Sequence, residues 1–173
     1  MTPNSTHPPP TVIIGLGNPL RADDGVGHAV SRLVRQRLSG RTDVEVMESF
    51  TGGLRLMERL IDRQRAYIVD AARFGEQAGK WRWLDLRQLP TLHTSSTHDA
   101  DLATALAVGR RAGAFLPDDD QIHVLAIQIA DVDGFSEELT TSVRSAVPGA
   151  ADALLERLNL DLGRGPTRPQ GTS

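Results

Sequence analysis

No cysteine occurs anywhere in this 173-residue chain. Disulfide cross-links are thereby excluded, and a cytoplasmic address is the expectation. A metal site built from this chain alone has only carboxylates and imidazoles to offer. Those suit hard or borderline cations and rule out thiolate zinc, so any thiolate ligand must come from a partner. An excess of positive charge is missing too: 19 basic residues stand against 22 acidic ones, for a net charge of -3. With no basic footprint, nucleic acid is not expected as a partner. No apolar run approaches the roughly 18 residues that span a bilayer, so no membrane partner is expected. Residues 1–10 carry Pro3, Pro8, Pro9 and Pro10 but no basic stretch followed by an apolar one, and no secretory signal is read there.

What remains is an ordinary globular composition, 39% hydrophobic and 24% charged, of a length that fits one domain. That domain is expected over residues 11–160, between a flexible Pro-rich tail at 1–10 and a flexible tail at 161–173. Strands are expected at Thr11–Leu16, Asp43–Glu48, Ala66–Asp70 and Gln121–Ile129, with an edge strand at Lys80–Leu86 that carries Trp81 and Trp83. Helices are expected at about 25–38, after Gly53, at about 99–113 and at 141–158, the last kinked or split by Pro148. Alternating strands and helices imply a mostly parallel sheet with helices on both faces, an α/β three-layer sandwich.

The chain is organised around residues 15–27, where a strand passes into a helix through four glycines and the adjacent carboxylates Asp23 and Asp24. Glycines let such a loop turn tightly at the carboxyl end of a strand, the edge at which open α/β sheets hold their ligands. One aspartate is read as a cap for the following helix, and the other is spare. Glu48 and Asp70 also close strands, so parallel strands deliver three carboxylates to one edge. A dinucleotide fingerprint is disfavoured, because Leu20 stands where its third glycine belongs and Pro19 removes a donor from the turn. Two carboxylates and an imidazole from separate loops, Asp24, Asp70 and His98, resemble a metal site with open positions. His93 and His123 are alternative imidazoles, His123 being read as structural within its strand.

The stretch Gly15-Leu-Gly-Asn-Pro-Leu-Arg-Ala-Asp-Asp-Gly-Val-Gly27 resembles the signature of the nickel-iron hydrogenase maturation proteases. The resemblance continues through Val44–Glu48 with Thr51-Gly52, through Tyr67–Ala71, through Ser95–His98 and on to Leu158. It implies a sandwich around a five-stranded sheet and three nickel-contacting positions, which by motif are Asp24, Asp70 and His98. The implied activity is one cut near the carboxyl terminus of a hydrogenase large subunit precursor after nickel insertion. The nickel then belongs to the substrate, whose thiolates already hold it, and no organic cofactor is expected. Asp24 or Glu48 is the candidate for activating water. Phe50 stands where several relatives carry glycine, and some relatives carry Glu in place of Asp24. A non-catalytic nickel-dependent chaperone that kept the same ligands is the alternative reading. Peptidyl-tRNA hydrolase shares only the Gly-Leu-Gly-Asn-Pro run, and the acidic pI near 5.9 opposes a tRNA substrate.

Overall fold

The computed structural model describes residues 8–84, 86, 102–130 and 135–163. Five strands form one sheet: β1 (Thr11–Leu16), β2 (Val44–Ser49), β3 (Arg65–Ala72), β4 (Trp81–Leu84) and β5 (Ile122–Gln128). Their spatial order is β2-β1-β3-β5-β4. β1, β2, β3 and β5 run parallel, and β4 closes one edge antiparallel to β5. The helices are α1 (Val26–Arg37), α2 (Gly53–Glu58), α3 (Leu102–Arg111) and α4 (Thr141–Gly163). This is the sandwich that the alternating pattern predicts.

The two faces of the sheet carry separate cores, sorted by the two-residue period of the strands. Ile13, Tyr67, Val69, Leu125 and Ile127 meet Val26, Val30 and Val34 of α1 and Ala151, Leu154 and Leu158 of α4. Val12, Ile14, Ile68 and Val124 meet Leu56 and Met57 of α2 and Leu102, Ala105 and Leu106 of α3. Burying one such aliphatic side chain contributes about 1.5–3 kcal/mol, so both layers are held chiefly by area removed from water. α1 lies close on β1 because Gly15 and Gly27 leave room. A Cβ at Gly27 would stand 2.3 Å from the Leu16 carbonyl oxygen and 2.4 Å from that of Val69.

Two expectations need correction. β3 does not end at Asp70 but continues through Ala71 and Ala72, which pair with Ile127 and Gln128. Pro148 does not split the last helix, which runs unbroken from Thr141 to Gly163 and so passes residue 160. The turns around Pro148 bury Ala146, Ala150 and Ala151, so packing on the sheet outweighs the lost backbone bond. Trp81 and Trp83 pack toward α4: Trp81 covers Gly149, and Trp83 meets Tyr67 edge-on. Among the described residues no helix is long and apolar enough to cross a membrane.

Candidate active site

The loop from β1 to α1 is built around its glycines. Gly17 has φ +130, and a Cβ there would stand 1.9 Å from the Asp24 carbonyl oxygen, so only glycine fits. The Asn18 side-chain oxygen accepts the Leu20 N–H at 3.0 Å and folds the Asn-Pro turn on itself. Ala22 sits at φ +46, a left-handed conformation that costs a non-glycine residue roughly 1–2 kcal/mol. Its N–H donates to the Ser136 carbonyl at 2.7 Å, which holds it there. The strained residue leads directly into the aspartate pair, in a 3-10 turn at Ala22–Gly25.

The two aspartates have different environments. Asp23 is fully buried. Its carboxylate accepts from the Ala130 N–H at 3.1 Å, the Thr140 N–H at 2.7 Å and the Thr140 hydroxyl at 2.9 Å. It therefore ties the first loop to the segment after β5 and to the entry of α4. Neither aspartate caps α1, whose N-cap is Gly25 with no side-chain bond. Asp24 is the half-buried one, and its Oδ2 accepts the Asn18 N–H at 2.8 Å. That bond orients the carboxylate, and among the described residues its second oxygen takes no hydrogen bond.

The 3-10 turn that carries Asp24 packs against β3, and Asp70 lies buried near the carboxyl end of that strand. The structure thus brings the elements that bear Asp24 and Asp70 to one sheet edge. Asp70 alternates with Val69 and Ala71, so it falls on the face of Ile68 and Ala72, toward α2 and α3. Glu48 pairs in register with Gly15, and Gly15 with Val69, which puts Glu48 on the opposite face, toward α1. There its carboxylate meets Arg32 at 2.9 Å and Arg35 at 3.2 Å. Hydrogen bonding from Arg32, seconded by Arg35 and opposed by partial burial, holds this carboxyl below its ordinary range. A carboxylate so held is a poor proton acceptor. The edge is shared by all three carboxylates, but the face is not.

His98 and His93 lie outside the described residues. α3 begins at Leu102, four positions after His98, and packs on the face to which Asp70 belongs. Among the described residues no three His, Asp or Glu side chains form a metal-holding group. His123 is remote from this edge. It stacks against Tyr67 near the start of β5 and lies between Arg157 and Asp161 of α4, where burial and then Arg157 lower its pKa.

One residue of the site went unnoticed in the sequence. His28, four positions after Asp24, is fully buried in the first turn of α1. Its Nε2 donates to the Ser49 carbonyl at 3.1 Å, the direction assigned because a carbonyl can only accept. Its Nδ1 stands 3.3 Å from Glu48, and its ring meets Phe50 edge-on at 5.1 Å. The Ser49 carbonyl also accepts the Gly17 N–H at 3.1 Å. One carbonyl at the end of β2 therefore fixes both the glycine loop and α1. An apolar helix face interrupted by histidine was the available signal.

A family model described as hydrogenase maturation protease matches residues 28–157, a span that holds Glu48, Asp70 and His98 and begins just after the glycine loop. The chain is 22% identical to the hydrogenase expression/formation protein HupD of Rhizobium leguminosarum bv. viciae, over 99% of this chain and 86% of that protein. It is 29% identical to the hydrogenase 2 maturation protease of Escherichia coli (strain K12), over 60% of this chain and 65% of that one. Among solved structures, the hydrogenase maturating endopeptidase HybD from E. coli superposes with TM-score 0.70 at 24% identity, covering 87% of this chain and 93% of that chain. The [NiFe] hydrogenase maturation protease HycI from Thermococcus kodakarensis KOD1 gives 0.66 at 22%, with the same coverages. At these identities the superpositions establish a shared fold.

Proposed function

The chain belongs to the hydrogenase maturation protease family, a group of endopeptidases, and from that premise we propose that it removes the C-terminal extension of a nickel-iron hydrogenase large subunit precursor once nickel is in place. Asp24, Asp70 and His98 contact the substrate's nickel as supplementary ligands. A chain with no cysteine need supply nothing softer, because the precursor's own thiolates already hold the metal. Recognition through the metal makes cleavage conditional on its presence, a checkpoint by differential binding.

The observation that carries this reading is the contrast within the aspartate pair: Asp23 is consumed by three structural bonds, while Asp24, among the described residues, keeps an uncommitted oxygen beside the strand of Asp70. Exposed Leu20, Phe50 and Leu54, from the loops that follow β1 and β2 and the start of α2, offer apolar surface for the precursor's backbone and side chains. In the cut itself, water adds to the scissile carbonyl while a carboxylate accepts its proton; the C–N bond then breaks and the proton passes to the departing amine. Nickel in the precursor polarises that carbonyl as a Lewis acid. Asp24 is favoured over Glu48 as the proton acceptor, because Arg32 and Arg35 already occupy Glu48 and lower its basicity.

The test incubates nickel-loaded and nickel-free precursor with the protein and reads intact mass. Only the nickel-loaded precursor is expected to shorten, and Asp70→Asn is expected to abolish the shortening without unfolding the chain. A precursor that is bound but stays intact would establish the chaperone reading instead. Equal cleavage of both precursors would remove the nickel checkpoint.

A further inference from the structure

Beside the glycine loop, at the end of β2, lies a cavity of about 390 Å³ that the proposed nickel chemistry leaves unused. Its walls include Glu48, Phe50 and Thr51 from β2 and its loop, and Arg55, Glu58 and Arg59 from α2 and its end. It adjoins the Asp24 loop through Ser49, whose carbonyl takes the Gly17 N–H.

The chemistry of these walls is lopsided. Arg55 and Arg59 are spaced four apart, one helical turn, and both are exposed. Neither makes an ion pair or side-chain hydrogen bond with any described residue. Like charges at this spacing cost an isolated helix a few tenths of a kcal/mol unless an anion lies between them. Glu48 does not supply that anion, since Arg32 and Arg35 already take its carboxylate. Among the described lining residues, with Glu48 taken, only Glu58 opposes the two cations, so the mouth is net positive in a chain whose overall charge is -3. Phe50, 68% exposed, stands over the same cavity and is braced from behind by the buried ring of His28. A braced aromatic beside two unpaired guanidiniums matches a peptide carboxylate flanked by an apolar side chain.

Building on the proposed processing of a precursor, we propose that this cavity is a second substrate-recognition subsite. It binds a carboxylate-bearing stretch of the precursor polypeptide through Arg55 and Arg59, with a neighbouring apolar side chain on Phe50. Arg55 and Arg59 are then specificity determinants that act on binding and not on bond cleavage.

The test pairs processing kinetics with a binding measurement that does not depend on cleavage. Arg55→Ala with Arg59→Ala is expected to raise KM for nickel-loaded precursor about tenfold and leave kcat within about twofold, as two lost charge contacts predict. The salt dependence of kcat/KM should flatten in the double variant. Fluorescence anisotropy with labelled peptides of the precursor's C-terminal sequence gives the second reading. Three forms are compared: native, with acidic side chains replaced by amides, and with an amidated terminus. Weaker binding of the second form places the recognised carboxylate on a side chain, and of the third at the chain end. Both exposed arginines are remote from the core, so circular dichroism and melting should match the parent chain. Unchanged KM together with equal anisotropy for all three peptides overturns the subsite. A parent protein that leaves the precursor intact, yet still prefers the carboxylate peptides, refutes the processing reading alone.

Discussion

Asp23→Ala and Asp24→Asn change adjacent residues of the same type and are expected to fail in opposite ways. The Asp23 carboxylate accepts three hydrogen bonds from donors at Ala130 and Thr140 while fully buried. Hydrogen bonds to a charged group contribute roughly 1.5–3 kcal/mol each, and orphaned buried donors carry their own desolvation cost. The three bonds share one acceptor group, so their losses do not simply add. Alanine at this position is expected to cost about 3–5 kcal/mol. For a chain of this length that corresponds to a fall in Tm of about 10 °C or more. Asp24→Asn keeps an oxygen for the Asn18 N–H at a half-buried position, and a loss within about 1 kcal/mol is expected. Processing of nickel-loaded precursor should nonetheless disappear. Urea unfolding followed by circular dichroism gives both free energies, and intact mass gives the activity. If Asp23→Ala unfolds within about 0.5 kcal/mol of the parent, the buried carboxylate is not the fastening inferred from its three bonds. If Asp24→Asn loses as much stability as Asp23→Ala, the division of roles within the pair is wrong.

Two further outcomes follow from the same geometry. Glu48→Gln should lower stability at pH 7 by about 1 kcal/mol, a value discounted for the exposure of Arg32 and Arg35. Because the folded carboxyl is held below its ordinary range, that contribution is complete above the unfolded pKa and is lost as pH falls through the folded one. The gap between parent and variant should therefore close below about pH 4 in an unfolding series, while processing at pH 7 continues near the parent rate. Gly27→Ala pushes a methyl group against two backbone carbonyl oxygens, which no rotamer can relieve. A loss of about 2–3 kcal/mol or more is expected by thermal unfolding, and a neutral result would show that α1 can lift off β1.

Much of the architecture was legible because each element announces itself locally. Val12-Ile13-Ile14 reads as a central strand, and the helical spacing of Val26, Val30 and Val34 reads as α1; both stand where the pattern puts them. The shared edge of Asp24, Glu48 and Asp70 followed from parallel strands alone. Which face each side chain takes did not, because face depends on register and a shift of one residue reverses it. Asp70 looked like a strand terminus, yet pairing with β5 carries β3 two residues further. Glu48 looked like a site carboxylate, and only the folded chain shows Arg32 and Arg35 closing on it. Asp23 and Asp24 cannot be told apart by local pattern, since the partners that distinguish them lie more than a hundred positions along the chain.

That last separation bears on the timing of competence during synthesis. The glycine loop leaves the ribosome well before two of its fasteners, Ala130 and Thr140, which are 107 and 117 positions downstream of Asp23. Closing so long a span has to wait for late-emerging segments. A nascent or prematurely terminated product therefore lacks the pins that hold the Asp23-Asp24 turn in place until α4 docks.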